Sequence, residues 1–300
     1  MEHIPVLLDR VMEYLESIEN PQVIVDATLG LGGYSERILS RYNKTLILGI
    51  DQDTRALQKA KERLEGFNER ILFHHGNFSD LKSIADCHKL VADAVVMDLG
   101  VSNMQLVDEA RGFSYMKEGP LDMRMDQRSK GATSPTAAEV VNSSSEKELE
   151  DIFRIYGEER YARLISRGIV EYRNRRGSID TTTQLVESIR ESLPQPVQRK
   201  MGKHPARRVF QALRIFVNRE LESLEKGLRG ALDICEKGGL IIVISYHSLE
   251  DRIVKTQFRE WKAEKIGEIR TKKPIKPTEQ EIEGNYKARS AKLRVFRKAS

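Results

Sequence analysis

Short runs of branched apolar residues recur along the chain, and each run ends in polar or glycine-containing residues. They cover 23–25, 45–50, 71–73, 94–97 and 240–244. Apolar character without alternation is typical of strands that are buried on both faces of a parallel sheet. Segments with apolar residues three and four positions apart, typical of amphipathic helices, separate the first runs. The pattern predicts an α/β fold in which helices cover a mostly parallel sheet.

A glycine-rich turn follows the first of these runs. Asp26 ends the run, and Gly30, Gly32 and Gly33 come directly after it. Glycines allow a tight turn and a close approach of the backbone to a ligand, at the point where open α/β sheets bind nucleotide-like molecules. Ser35 occupies the position at which a dinucleotide fingerprint needs its third glycine. The turn therefore favours an adenosyl ligand without a diphosphate, and Asp26 is a candidate to meet an amine or hydroxyl of that ligand.

The ends of the next two runs carry further candidate ligand contacts. Asp51 lies about 20 residues beyond the turn, where an acid accepts hydrogen bonds from ribose hydroxyls. Asp53 is better placed to cap the helix that begins at Thr54. Phe78 follows the third run and is a candidate to flank an adenine ring, with a place in the core as the alternative.

The fourth run ends in Asp98, followed by the small or apolar residues Leu99, Gly100 and Val101. Methyl transfer to an exocyclic amine requires the nitrogen lone pair to point at the methyl group. A carboxylate or amide, together with a backbone carbonyl, can accept hydrogen bonds from the two amine hydrogens. These bonds hold the amine with its lone pair toward the methyl group. Of the Asp/Asn-Pro-Pro-aromatic tetrad of amino-methyltransferases, this segment keeps only the acid. The candidate catalytic groups are Asp98, the side chain of Asn103 and the carbonyl of Leu99.

Beyond Gln105 the alternation of strands and helices stops and helical patterns dominate. We expect residues 107–206 to form a helical insertion, and residues 1–106 and 207–300 to form one discontinuous α/β domain. The apolar period of 210–228 predicts one long amphipathic helix, and 292–297 predicts an edge strand.

The predicted insertion is rich in basic residues, which favours contacts with phosphates over solvated helix faces alone. These residues are Arg154, Arg160, Arg163, Arg167, Arg173, Arg175, Arg176, Arg199, Lys200 and Lys203, with Arg207 and Arg208 directly after the insertion.

Composition sets limits on the class of protein. The chain has 300 residues, 39% of them hydrophobic, which suffices for a sizeable core. A net charge of +5 and a pI near 9.0 favour a polyanionic partner. The two cysteines, Cys87 and Cys235, form no zinc or disulfide motif, and no ligand spacing demands a metal. With neither a signal sequence nor an apolar run of ~18 residues, a cytoplasmic location is expected.

Three other classes of protein share part of the pattern. Ser245, His247 and the acids after them suggest a hydrolase, but no G-x-S-x-G elbow surrounds either nearby serine. An NAD-dependent oxidoreductase shares the turn and Asp51 but needs the missing third glycine. A non-catalytic RNA-binding or assembly factor would use the same basic insertion, and it would bind RNA without transferring a methyl group.

Seven blocks of sequence, in order along the whole chain, resemble the family of bacterial 16S rRNA cytosine-N4 methyltransferases, RsmH, formerly MraW. The blocks are DATLGLGG at 26–33, DLGVSNMQL at 98–106, RGFS at 111–114, PLDMRM at 120–125, FQALRI at 210–215, SYHSLEDR at 245–252 and RSAKLR at 289–294. The resemblance departs from the family at Tyr34, where histidine is usual, at Arg208-Val209, where Arg-Thr is usual, and at 285–287, where Asn-Pro-Arg is usual.

The resemblance implies a class I methyltransferase that uses S-adenosylmethionine. It has a Rossmann-like, seven-stranded, mostly parallel sheet, and its insertion recognises RNA. The implied reaction is methylation of N4 of a decoding-centre cytidine in 16S rRNA, within a small ribosomal subunit or its precursor. Neither DNA nor a membrane is an expected partner, and a homodimer is left open. Because no cysteine follows a strand end, we expect direct transfer without a covalent intermediate.

The resemblance also implies roles for single residues. Family cofactor positions fall on Gly32, Gly33, Tyr34, Asp51, Phe78, Asp98 and Gln105, to which the glycine turn adds Asp26 and Gly30. The expected substrate contacts are Asp122, Arg124, Arg207, Arg208, His247 and Arg289.

Overall fold

The computed structural model describes residues 5–127, 134–200 and 204–300. It divides into two compact units: the chain up to Gly100 together with Leu221–Ser300, and Val101–Glu220. The expected boundary at 106 lies at Gly100. The first unit resumes at Leu221 instead of the expected 207, because the helix that begins at Arg207 packs within the second unit. There Arg208 donates from Nη1 to the Glu158 carbonyl (2.9 Å), and Phe210 joins the apolar core.

Seven strands of the described chain form one sheet in the first unit, in the order β3-β2-β1-β4-β5-β7-β6. Their bounds are β1 Val23–Asp26, β2 Leu46–Asp51, β3 Ile71–His75, β4 Ala92–Asp98, β5 Cys235–Ser245, β6 Gly267–Ile269 and β7 Lys292–Lys298. The first five strands pair in parallel, and β7 is antiparallel to both β5 and β6. The predicted class I fold is confirmed. The prediction of an edge strand at 292–297 is wrong, because β7 lies between two strands.

The α-helices follow in chain order. Their bounds are α1 Leu8–Leu15, α2 Gly33–Arg41, α3 Thr54–Arg63, α4 Leu81–His88, α5 Asn103–Val107, α6 Ala137–Ser143, α7 Glu146–Gly157, α8 Ala162–Arg176, α9 Thr182–Ser192, α10 Gln195–Lys200, α11 Arg207–Asn218, α12 Glu220–Ile234, α13 Ser248–Ala263 and α14 Glu279–Gly284. No helix among the described residues is long and apolar enough to cross a membrane.

Adjacent residues of the central strands face opposite cores, which explains why these strands are apolar throughout. One core contains Ile24, Ile47, Val96 and Ile242, together with residues of α1, α2 and α3. The other contains Val25, Leu48, Val95 and Ile241, together with residues of α4, α12 and α13. With both faces covered, polar side chains of the central strands concentrate at the strand ends.

The amphipathic pattern of 210–228 is interrupted, so the prediction of one long helix is wrong. Arg219 adopts a left-handed conformation (φ 49°) and separates α11 from α12. The amide of Asn218 is engaged there, accepting from Met125 N–H (2.8 Å) and donating to the Met123 carbonyl (2.8 Å). A two-pronged ion pair joins Arg214 to Glu220 across the break, with N–O distances of 2.7 and 2.8 Å. These contacts stabilise a turn that the apolar period alone does not reveal.

Candidate functional site

The carboxyl ends of β1, β2, β3, β4 and β5 meet at one edge of the sheet. In the strand register Asp26 is paired with Gly49 and Val96, Asp51 with His75, and Asp98 with Ile244. The polar residues that the sequence places after separate strands are therefore neighbours within the first unit.

The turn after β1 has the backbone geometry that glycine supplies. Gly30 and Gly32 have φ angles of +53° and +78°, in the left-handed region. A Cβ at Gly32 would lie 2.7 Å from a Leu64 methyl carbon, and one at Gly33 would lie 2.5 Å from Pro5 Cγ. At Gly30 the nearest atom would be 3.8 Å away. The protein's own packing thus explains Gly32 and Gly33, and the open space lies at Gly30.

Asp26 is fully buried at the end of β1. Its Oδ2 accepts a hydrogen bond from the Ser35 hydroxyl (2.7 Å). Its Oδ1 makes no hydrogen bond of ordinary geometry to a described residue, although the backbone of Thr28 and of Ser35 lowers the pKa of the carboxylate. Burial raises the pKa of Asp26 to about 6, although the Ser35 hydroxyl opposes this shift. A buried carboxylate oxygen without a donor is costly and fits a site that is completed by a ligand.

Two acids stand at the end of β2, and the predicted capping role of the second, Asp53, is confirmed. Asp53 caps α3, accepting from Arg55 N–H at 3.0 Å. The half-buried Asp51 carboxylate accepts from Gly30 N–H through Oδ2 and from Asp53 N–H through Oδ1, both at 2.8 Å. Burial raises the pKa of Asp51 to about 6, while these backbone donors lower it. The glycine turn and the acid are thereby fixed to each other.

Phe78 stands at the exit of β3 and is half-buried. Its ring packs on α12, where a Cβ at Gly227 would come within 2.5 Å of it. The preceding Asn77 accepts from Ser79 N–H (2.9 Å) and donates to the Gln52 side chain (2.9 Å). The loop after β3 is therefore held in place by its own polar contacts. The contact of Phe78 with adenine stays a prediction.

Asp98, at the end of β4, is held by groups from two other strand exits. Its N–H donates to Thr28 Oγ1 (2.6 Å), and its Oδ1 accepts from the Tyr246 hydroxyl (2.7 Å). The following Leu99 N–H donates to the Ile244 carbonyl (2.9 Å), and Gly100 then turns the chain with a φ of +89°. Sequence reasoning missed both Thr28 and Tyr246. The one signal that could have indicated them is that both lie in blocks of sequence that resemble the family.

Tyr34 is buried in the first turn of α2, and its hydroxyl donates to the Val6 carbonyl. Burial, with Asp98 and Asp26 nearby, raises its pKa well above the ordinary value. The phenol thus anchors the segment before α1, so a cofactor contact at this position is left to the backbone.

His247 and Arg289 belong to the same unit. His247 is the N-cap of α13: its Nδ1 accepts from Glu250 N–H (3.4 Å), and its Nε2 lies 3.1 Å from Glu250 Oε1. This capping accounts for His247 without a substrate. Arg289 is exposed in the short turn before β7.

The second unit contains six of the candidates: Asn103, Gln105, Asp122, Arg124, Arg207 and Arg208. Gln105 closes the capping box of α5, accepting from Ser102 N–H (3.0 Å). Asp122 and Arg124 bind each other through two hydrogen bonds of 2.8 Å, and Arg124 lowers the pKa of Asp122 against the effect of burial. Asn103 begins α5, but its side chain lies outside the described part of the structure. The contacts of these residues with ligands stay predictions.

Many of the insertion's arginines are already paired within it. Ion pairs join Arg154 to Asp151 (2.6 Å), Arg167 to Glu171 (2.7 Å), Arg175 to Glu191 (2.7 Å) and Arg176 to Glu187 (2.8 Å). Arg173 donates to the carbonyls of Val141 and Ser144. Arg160, Arg163, Arg199 and Arg207 are exposed and make no ion pair with a described residue. The Lys200 side chain and Lys203 lie outside the described residues. Among the arginines of this unit, the four that are exposed and make no ion pair with a described residue are therefore the best candidates for contacts with phosphates.

Comparison with known proteins identifies the family of the chain. The model of the MraW methylase family matches residues 1–299. The chain belongs to that family. It is 46% identical to Ribosomal RNA small subunit methyltransferase H of Persephonella marina, with 99% of each chain covered. Proteins of the same name are 46% identical in Carboxydothermus hydrogenoformans (99% of this chain and 98% of the relative) and 45% identical in Clostridium botulinum (99% of each).

This MraW-family chain is therefore a methyltransferase, and S-adenosylmethionine is its methyl donor. The site suits such a ligand. Gly30 offers open backbone, Asp51 offers a fixed carboxylate, and Asp26 keeps a buried oxygen without a donor. The carboxylates of Asp26 and Asp98 also suit a ligand with a positive sulfonium.

The affinity for S-adenosylmethionine is expected to fall as the pH drops from 7 to 5. Asp26 and Asp51 have a pKa of about 6, so both are mostly ionised at pH 7 and mostly protonated at pH 5. Protonation removes negative charge and a hydrogen-bond acceptor. The dissociation constant should rise about tenfold per pH unit below 6 for each carboxylate that must be ionised. Titration calorimetry from pH 7.5 to 5 measures this, and a constant that does not change with pH would contradict it.

Proposed function

We propose that the chain transfers the methyl group of S-adenosylmethionine directly to N4 of a cytidine in 16S rRNA of the small ribosomal subunit. The observation that carries the proposal is Asp98, a carboxylate fixed at the end of a central strand beside the adenosyl-type site. The names of the relatives support small-subunit rRNA as the substrate. The choice of the cytidine N4 atom rests on the chemistry of Asp98 and on the family resemblance.

The cofactor, when bound, supplies an electrophilic methyl group on a positive sulfonium. Asp51 would accept hydrogen bonds from its ribose hydroxyls, and Phe78 would flank its adenine. The turn at Gly30, Gly32 and Gly33 would contact the cofactor through its backbone atoms. Asp26 would contribute negative charge and an acceptor from the end of β1. Gln105 and the Tyr34 backbone are further cofactor positions implied by the family.

The part proposed for Asp98 is to hold the amine. An exocyclic amine attacks through its lone pair, which is turned away from its two N–H bonds when acceptors hold both hydrogens. The Asp98 carboxylate would accept one hydrogen, and the Leu99 carbonyl or the Asn103 side chain would accept the other. Asp98 and Leu99 belong to a segment whose backbone is tied to Thr28 and Ile244, so these acceptors are positioned before substrate arrives.

The positions of the cysteines support direct transfer. Cys235 begins β5, at the end of that strand opposite to Ser245, and burial raises the pKa of its thiol to about 12. Cys87 lies in α4, before β4 begins. A covalent mechanism needs an activated thiolate next to the base. Neither cysteine follows the carboxyl end of a strand in this sheet.

Recognition of RNA is assigned mainly to the second unit, with His247 and Arg289 as candidates from the first unit. The exposed Arg160, Arg163, Arg199 and Arg207 would contact phosphates, as would Arg208 and Arg289. Asp122, Arg124 and His247 are kept as substrate candidates from the sequence. The target base must leave its stack to reach the methyl group, at a cost of a few kcal/mol that phosphate contacts would offset.

Transfer from radiolabelled S-adenosylmethionine to purified small ribosomal subunits tests the proposal. We expect label in 16S rRNA, recovered as N4-methylcytidine, and none in ribosomal proteins. Isolated 16S rRNA, assayed in parallel, shows whether the assembled particle is required. Label on protein or on a base carbon would contradict the proposed acceptor. RNA binding with no label at all would favour the non-catalytic assembly factor.

A further inference from the structure

The hydroxyl of Tyr246 donates a hydrogen bond to Asp98 Oδ1 at 2.7 Å. We propose that Tyr246 is a positioning residue, whose phenol orients the Asp98 carboxylate for its acceptor role toward the substrate amine. The inference rests on the proposed role of Asp98, and it extends that role to a residue of another strand exit.

Tyr246 is itself held by the start of α13. Its N–H donates to Glu250 Oε2 (2.7 Å), the carboxylate that also accepts from His247 N–H (3.2 Å). A Cβ at Gly100 would make an ordinary contact of 3.5 Å with the Tyr246 ring, so the ring lies against the turn that follows Asp98. The phenol is thus constrained at its backbone and along its ring. A constrained donor is the arrangement that fixes a partner's rotamer.

The Tyr246 hydroxyl remains a donor throughout the working pH range. Burial raises its pKa well above the ordinary value, and the neighbouring charge of Asp98 acts in the same direction. Tyr34 on α2 and Glu250 on α13 raise the pKa of Tyr246 further, and Tyr34 in turn feels the charge of Asp26 on β1. With its proton retained, the phenol can donate to Asp98 Oδ1. The hydrogen bond from Tyr246 therefore contributes to keeping the carboxylate ionised.

The phenol fixes the carboxylate as well as stabilising its charge. An aspartate carboxylate can rotate about χ2, a torsion with broad preferences, unless its oxygens are held. With Oδ1 bound to Tyr246, the plane of the carboxylate is set. An amine that must present its lone pair in line with a methyl group is sensitive to this plane, since small misplacements cost large factors in rate.

Tyr246→Phe tests the proposal because it removes one oxygen and keeps the ring. We expect kcat to fall by about 10- to 100-fold, with the dissociation constant for S-adenosylmethionine nearly unchanged. The acidic limb of the rate–pH profile should move to higher pH, because the carboxylate loses a donor that favours its charged form. A purely structural role would not move that limb.

Tyr172→Phe is the matched control. It removes a phenol that donates to a carboxylate, Glu187, at the same distance of 2.7 Å, between α8 and α9 of the second unit. We expect its kcat and pH profile to match those of the unaltered protein. If Tyr246→Phe matches them too, the proposal is overturned.

Two further measurements keep the outcomes separate. Asp98→Ala reports on the proposed function: if that variant is fully active, the role of Asp98 fails, whatever Tyr246 does. If Asp98→Ala is inactive and Tyr246→Phe is normal, only the positioning role fails. Should Tyr246→Phe fold poorly, 3-fluorotyrosine at position 246 supplies a more acidic phenol in the same place. The acidic limb should then move to lower pH, and an unmoved limb would overturn the proposal.

Discussion

Asp98→Ala is expected to lower kcat for rRNA methylation by about 10³-fold or more, measured at saturating S-adenosylmethionine in a single-turnover assay. The alanine removes the acceptor that would hold the amine, and positioned acid–base groups contribute about 10²- to 10⁴-fold to rates. It also leaves the Tyr246 hydroxyl without its present partner. Loss of rate at saturating cofactor separates this role from cofactor binding.

Asp233→Ala serves as the control for that experiment. Asp233 is an exposed acid on α12, so its replacement removes the same functional group without touching a strand end. Its rate should stay close to that of the unaltered protein. Turnover by Asp98→Ala within about tenfold of the Asp233→Ala value would remove Asp98 from the catalytic role.

Asp51→Asn is expected to weaken binding of S-adenosylmethionine by about 10- to 100-fold. Hydrogen bonds to charged groups contribute about 1.5–3 kcal/mol, and 1.4 kcal/mol is tenfold in affinity. The Asp51 carboxylate now accepts hydrogen bonds from the Gly30 and Asp53 N–H groups. In the asparagine variant the side-chain NH₂ group faces one of these two donors, so that hydrogen bond is lost. Equilibrium titration with the cofactor measures the change.

The same substitution two residues further on, Asp53→Asn, is the control. Asparagine caps helices as well as aspartate does, so α3 should be unaffected. Its affinity for the cofactor should be nearly that of the unaltered protein. Equal affinities for the two variants would contradict the assignment of Asp51 as the ribose partner.

The positions of Asp51 and Asp98 were predictable because strand ends in a parallel sheet meet at one edge, and the apolar runs mark those ends. The division of work between Asp51 and Asp53 was predictable from helix capping, a local effect. The contact of Tyr246 with Asp98 was not, since it joins residues 148 positions apart. It depends on how two turns are shaped after their strands end.

Charge and periodicity were weaker guides in the second unit. The sequence of a helix does not show whether an acid from another helix faces an arginine. The ion pair of Arg176 with Glu187 could therefore not be predicted. The end of α11 at Arg219 was equally hidden, because a left-handed arginine has no sequence signal and the apolar period runs on past it. In both cases the structure is determined by tertiary contacts, which the local sequence pattern does not show.

The central claim is that Asp98 directs a methyl group to N4 of a cytidine in 16S rRNA. Mass spectrometry of nucleosides from the 16S rRNA of cells that lack this protein tests it most directly, with the gene restored in its unaltered form and as Asp98→Ala. We predict that a methyl group on cytidine N4 is lost, returns with the unaltered gene and does not return with Asp98→Ala. An unchanged N4 methyl content in the deficient cells, or full recovery with Asp98→Ala, would contradict the account.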